Sequence, residues 1–203
     1  MANNQRQSDL ILATLKCLKR EGFKGLSIRK IADDANVSVG LINHHFGSLD
    51  KLISLSYEYM ADDILSALQQ SCEREKENPL IAMDIFITES FNPTLLNPDL
   101  LNAWIVFWAM TRHSPEIDKS HSLTYSRYLD FISQLLMDIW NKEPGHTGNE
   151  CDIRLATISF SSMLDGLWVE SCLNSTVFKS EDAIVICQRW VKSFRAGMFE
   201  ISI

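Results

Sequence analysis

The chain has 203 residues, is 46% hydrophobic and 22% charged, and carries a net charge of −7. This composition excludes a disordered chain and supplies enough apolar side chains for a sizeable core. No unbroken apolar run approaches the ~18–20 residues of a membrane span. Residues 1–7 are polar and lack the apolar centre of a secretory leader, so a cytoplasmic protein with no membrane partner is expected.

Helical spacing predicts an all-α chain. Leu10, Ala13, Thr14, Cys17 and Leu18 mark a first helix over 7–21, with Gly22 placed to end it. Ser27 caps a short second helix carrying Ile28, Ile31, Ala32 and Ala35. Asn36 and Val37 make a tight turn, and Ser38 caps a third helix over 39–45. Phe46-Gly47 closes it, and a longer helix follows from 48 or 49 to about 71. The charged stretch 72–78 and Pro79 predict a break, with Pro79 at the first position of a helix over 80–90. Asn92-Pro93 and Asn97-Pro98 punctuate the chain before an apolar helix over 100–113. Ser114-Pro115 starts a long helix to about 140, and 142–149 reads as a loop. Helices over 151–173 and 181–199 complete the chain, with no strand-type alternation of useful length.

Charge is unevenly spread. Residues 1–55 hold eight Lys and Arg against five acids, a net of +3, so the remainder carries −10. A basic head on an acidic body suits a small DNA-reading module joined to a part that does not touch phosphate. The five cysteines, Cys17, Cys72, Cys151, Cys172 and Cys187, form no CxxC pair, so buried reduced thiols are expected and a redox sensor stays open. No metal-ligand cluster, phosphate loop or nucleophile elbow occurs, so neither a metal, a cofactor nor a catalytic residue is expected. The SxxK strings at Ser27–Lys30 and Ser48–Lys51 lack the companion motifs of serine hydrolases.

The segment 26–52, LSIRKIADDANVSVGLINHHFGSLDKL, meets the mechanical needs of a helix-turn-helix. Ile28, Ile31 and Ala32 anchor the first helix, while Ile42 and Phe46, four apart, anchor the second. Val39, Gly40, Asn43 and His44 then face outward, on a helix sized for the major groove. Gly40 permits close approach to bases or backbone.

This segment resembles the DNA-binding domain of the TetR family through Ser27, Ile28, Ile31, Ala32, Ala35, Val37, Ser38, Gly40, His44, Phe46 and Leu52. The resemblance implies an all-helical homodimer that represses transcription at palindromic double-stranded DNA operators. A helix-turn-helix domain over 1–50 and a helical ligand-binding and dimerisation domain over 51–203 are expected. By the same resemblance Ser27, Arg29 and Ser38 touch phosphates, and Val39, Gly40, Asn43 and His44 lie at the bases; His45 joins this DNA-binding set. Asn43 departs from the family's usual tyrosine, and Leu49 stands where a phosphate-binding lysine is usual, with Lys51 placed to compensate.

The stretches 104–109, WIVFWA, and 164–168, LDGLW, resemble the BetI branch of that family, which responds to choline. The chemistry is consistent. A quaternary ammonium donates no hydrogen bond and is held by aromatic faces with a carboxylate nearby. Trp104 and Trp108 share one helix face, Asp165 and Trp168 another, with Tyr125, Tyr128 and Phe91 as further walls. Together they form a candidate small-molecule effector site. The competing reading makes these rings core and pairs Asp165 with Arg112 or Arg127. A non-cationic apolar effector, or a DNA-binding protein with no ligand, also fits the sequence. The last two helices carry apolar stripes suited to a homodimer interface: Ile153, Ala156, Thr157, Phe160, Met163, Leu164 and Leu167, then Ala183, Ile184, Cys187, Trp190, Val191 and Phe194.

Overall fold

The computed structural model describes residues 2–146, 151–174 and 176–201. It is all-helical, and among the described residues the chain forms nine α-helices. These are α1 (Ala2–Gly25), α2 (Ile28–Asp34), α3 (Val39–Phe46), α4 (Leu49–Glu73), α5 (Pro79–Ser90), α6 (Pro98–Thr111), α7 (Pro115–Lys142), α8 (Ile153–Leu173) and α9 (Ser180–Arg195). A single 3-10 turn covers Pro144–His146, within the expected loop, whose residues 147–149 lie outside the described residues. No helix among the described residues is long and apolar enough to cross a membrane.

The helix starts follow from local chemistry. Three helices, α5, α6 and α7, begin on a proline. Its fixed φ suits the first turn, where no intrahelical partner awaits its missing N–H. Ser27 and Ser38 accept from the backbone N–H of Lys30 (3.3 Å) and Leu41 (3.2 Å), capping α2 and α3. Ser48 does the same for α4 through Lys51 at 3.0 Å.

Two ends differ from the sequence expectation. The first helix continues to Gly25, but Gly22 inside it has φ 63° and ψ −165°, so regular helix breaks where glycine was expected to end it. The final helix stops at Arg195, four residues short of 199. Gly197 takes φ 91°, Met198 N–H donates to Ser193 O (3.2 Å), and Gly197 N–H to Phe194 O (3.0 Å). This is a Schellman ending, which needs a left-handed residue at the glycine. The chain then turns so that Asp152 N–H donates to Phe199 O at 2.9 Å, and Cys151 and Glu200 form an isolated antiparallel bridge.

The chain divides into two compact units. The first comprises residues 1–64 and 98–125, and the second 65–97 and 126–203. Inside the first, the head has its own core of Leu10, Cys17, Ile31, Ala32, Ile42, Phe46 and Leu52, and α6 packs against α1. In the second, Phe86, Phe160, Phe194, Leu136 and Cys187 are fully buried. Phe86 meets Phe131 edge-on at 5.7 Å, and Phe160 lies 4.8 Å from Trp190. Arg195 makes a forked pair with Glu143 (2.6 and 3.1 Å) and holds that carboxyl below the usual carboxylate range.

The stripes assigned from sequence to a dimer interface prove to be mostly core of this second unit. Ala156, Thr157, Phe160, Leu164, Ala183, Cys187, Val191 and Phe194 are all buried within the chain. The outward faces of the same helices carry other apolar residues: Leu155 (44% exposed) and Ile158 (45%) on α8, and Val185 (42%) and Ile186 (39%) on α9.

All five cysteines are free thiols. Burial pushes each of them up, Cys72 and Cys151 to about 11 and Cys187 to about 12.

Candidate nucleic-acid interface and effector site

The segment 27–47 builds a helix-turn-helix from four local devices. Ser27 and Ser38 start the two helices. Asn36 turns the chain at φ 51°, a left-handed conformation that asparagine tolerates better than most residues. Val37 N–H donates to Ala32 O (2.9 Å) and Asn36 N–H to Asp33 O (3.1 Å), which keeps the turn tight. Ile42 and Phe46 then fix α3 to the head core at 0% and 8% exposure.

That anchoring decides what α3 presents. Gly40, Asn43 and His44 are exposed, with Val39 and His45 half-buried beside them. The two imidazole rings lie 5.5 Å apart, edge to face. The capping hydroxyls of Ser27 and Ser38 each use an oxygen lone pair internally and keep the O–H hydrogen to donate outward.

The basic residues around the motif are not equivalent. Arg20 is committed to Asp34 through two contacts (3.0 and 3.3 Å) and to Glu21 (2.8 Å), and Lys30 to Glu21 (2.8 Å). These pairs tie α1 to α2 and raise the Arg20 guanidinium while lowering the Glu21 carboxyl. Arg29 is exposed and Lys51 half-buried, and neither makes an ion pair among the described residues, so both remain open to phosphate.

Gly40 has no internal reason to be glycine. A Cβ built there would meet only Ser38 Oγ, at 3.8 Å. Gly40→Ala is therefore expected to raise stability by about 0.5–1 kcal/mol through helix propensity. If the face of α3 enters a groove, the same methyl weakens DNA binding. Thermal unfolding together with operator titration checks both halves; a stabilised variant of unchanged affinity would remove Gly40 from the interface.

The ring residues expected to hold an effector fall into both units. In the first, Trp104 and Trp108 lie 5.9 Å apart on α6. Tyr57 of α4 stands edge-on to Trp104 (5.4 Å) and to Phe107 (4.9 Å). His121 of α7 approaches Tyr57 at 5.9 Å and stacks on Tyr125 at 5.5 Å and 20°. The Tyr57 hydroxyl lies 2.7 Å from His121 Nδ1. Tyr57 and His121 thus join Trp104 to Tyr125, and both escaped the sequence reading. Beside them Ser120 Oγ donates to Glu58 Oε1, and Ser54 Oγ lies 2.8 Å from Ser120 Oγ, fixing α4 to α7.

In the second unit, Phe91 is buried in the core at 2% exposure. Tyr128 is half-buried and 6.5 Å from Phe86. Trp168 donates its indole N–H to Leu95 O at 3.1 Å, and Asp165 is half-buried on α8. Among the described residues no group of three or more His, Cys, Asp or Glu is arranged to hold a metal.

Comparison with known proteins matches these elements in turn. Residues 10–54 match the family described as "Bacterial regulatory proteins, tetR family", and residues 82–196 match "BetI-type transcriptional repressor, C-terminal". The chain is 22% identical over 186 residues to "HTH-type transcriptional regulator BetI" of Burkholderia thailandensis, covering 92% of this chain and 91% of the relative. A solved structure from Pseudomonas aeruginosa PAO1 is 36% identical, with a TM-score of 0.87 over 96% of this chain and 92% of that one. A regulator from Saccharomonospora viridis, solved in complex with choline, shares the fold at 14% identity, with a TM-score of 0.74 over 93% and 96% of the two chains.

Proposed function

Because the chain belongs to the TetR family of transcriptional regulators and carries a BetI-type C-terminal domain, we propose that it is a repressor released from a palindromic operator by a small quaternary ammonium compound. Two recognition helices enter successive major grooves. Val39, Gly40, Asn43, His44 and His45 face the bases, and Ser27, Arg29, Ser38 and Lys51 hold phosphates. The 1–50 head reads DNA, and residues 51–203 bind the effector and dimerise. The partner is a second copy, seated on the outward apolar faces of α8 and α9 through Leu155, Ile158, Val185 and Ile186.

One observation carries the coupling. Helix α4 puts Leu52 into the same core as Ile42 and Phe46 of α3, and five residues later puts Tyr57 against Trp104 and His121. Five residues of helix rise about 7.5 Å. A ligand that repositions Tyr57 therefore acts within about two turns of the anchor of the recognition helix. The switch is a population shift: the dimer holds a DNA-compatible spacing of its heads and another one, and the effector binds the second better. Within the first unit, Trp104, Trp108 and Tyr125 supply the aromatic faces that such a cation needs.

The test is fluorescence anisotropy with DNA from upstream of the protein's own gene. Submicromolar binding at moderate salt is expected, reversed by millimolar choline. Failure to retain any palindromic fragment at low salt would overturn the DNA-reading role, and retention unaffected by trimethylammonium compounds would overturn the effector class alone.

A further inference from the structure

We propose that Glu21 holds Lys30 off the DNA backbone, so that the head binds any duplex more weakly than its cations would allow. This rests on the DNA-reading role above and adds a residue that limits it.

By position, Lys30 belongs with the groups assigned to phosphate. It lies in the first turn of α2 beside Arg29, and its backbone N–H donates to the Ser27 hydroxyl at 3.3 Å. Its side chain is 47% exposed, on a flexible four-carbon stem. Yet its ammonium is already engaged, donating to Glu21 Oε2 of α1 at 2.8 Å.

Glu21 is itself fixed. Its other oxygen, Oε1, accepts from Arg20 Nε at 2.8 Å, and Arg20 is forked onto Asp34 at 3.0 and 3.3 Å. The chain Asp34–Arg20–Glu21–Lys30 carries no net charge. Its two cations, Lys30 more than Arg20, hold the Glu21 carboxyl below the usual carboxylate range, so it stays ionised wherever DNA binding is measured. A lone exposed ion pair holds its lysine weakly, because both side chains must be ordered to make it. Here one partner is ordered beforehand, with a cation on each oxygen. Lys30 has one ion-pair partner among the described residues and Arg20 has two. Neutralising Glu21 therefore releases Lys30 and leaves Arg20 on Asp34. A released lysine that meets a phosphate displaces a condensed counterion, so the change is read directly in the salt dependence of binding.

The experiment is fluorescence anisotropy of the full-length protein between about 50 and 200 mM salt. The probes are a non-palindromic duplex and the fragment upstream of the protein's own gene; the proteins are wild type, E21Q, D33N, K30Q and E21Q/K30Q. E21Q is expected to bind both duplexes about tenfold more tightly at the low end. Its plot of log affinity against log salt steepens by about 1.8, because each head of the dimer gains one phosphate contact worth about 0.9. Asp33 is exposed and makes no ion pair among the described residues, so D33N removes the same charge from the head but frees no cation. It gives a smaller rise at unchanged slope. K30Q alone keeps the wild-type slope, since no phosphate contact is lost, and E21Q/K30Q returns to that slope. An E21Q slope equal to that of D33N, a steepening that persists in E21Q/K30Q, or a K30Q slope shallower by about 1.8 overturns the restraint while DNA reading stands. A wild type that retains neither duplex at low salt overturns the DNA-reading role and the restraint with it. K30Q leaves the Arg20 contacts of Glu21 in place and decides the matter even if E21Q disturbs the head.

Discussion

His44→Ala is expected to weaken operator binding by about 1–3 kcal/mol per recognition helix, and by about twice that for a dimer reading two half-sites. The affinity loss is then roughly thirty-fold or more. The reason lies in how α3 is mounted. Ile42 and Phe46 face the core, which leaves Gly40, Asn43 and His44 as the exposed surface of an eight-residue helix that carries no lysine or arginine. With so few groups available, each polar one carries a large share of base discrimination. Because His44 is exposed, its removal should move stability by no more than about 0.5 kcal/mol. Anisotropy against the operator and against a scrambled fragment separates the cases. A loss on the operator alone marks His44 as a base reader, an equal loss on both marks a phosphate contact, and no loss on either removes it from the interface.

Phe86→Ala is expected to be the most damaging truncation in the second unit, at about 3–5 kcal/mol. Phe86 is 0% exposed and its ring lies among Phe131 (5.7 Å), Phe160 (6.5 Å) and Tyr128 (6.5 Å), which come from α7 and α8. Removing it leaves a void that three aromatic rings on two different helices cannot jointly collapse into, so the cavity cost adds to the lost transfer free energy. In a domain of this size the melting temperature should fall by roughly 10 °C. Differential scanning calorimetry measures it, and a fall of less than about 2 °C would show that these rings repack freely.

Much of the architecture was legible because its signals are local. Proline at 79, 98 and 115, glycine at 22 and serine at 27 and 38 each act on their own turn of backbone. The helix-turn-helix was legible for the same reason, since its core face and its outward face are separated by one helical period. The end of α9 was misjudged although its signal was present: Gly197 follows Lys192 and Arg195, the arrangement that closes a helix, while Phe199 extended the apolar pattern past it. The stripes on α8 and α9 show a different limit. Periodicity reveals that a face is buried, not which surface buries it, so residues such as Phe160 and Cys187 read as interface when they are core. Tyr57 and His121 were missed because 64 positions separate them in the chain, and nothing near either one announces the other.

The buried thiols have a chemical consequence. Nucleophilic attack on peroxides or alkylating agents proceeds through the thiolate. With the Cys72 and Cys151 thiols pushed up to about 11, only about one molecule in ten thousand is ionised at pH 7, and the fraction at Cys187 is smaller still. At neutral pH these three thiols are therefore expected to react slowly with oxidants and alkylating agents, which timed labelling of the folded and unfolded chain checks.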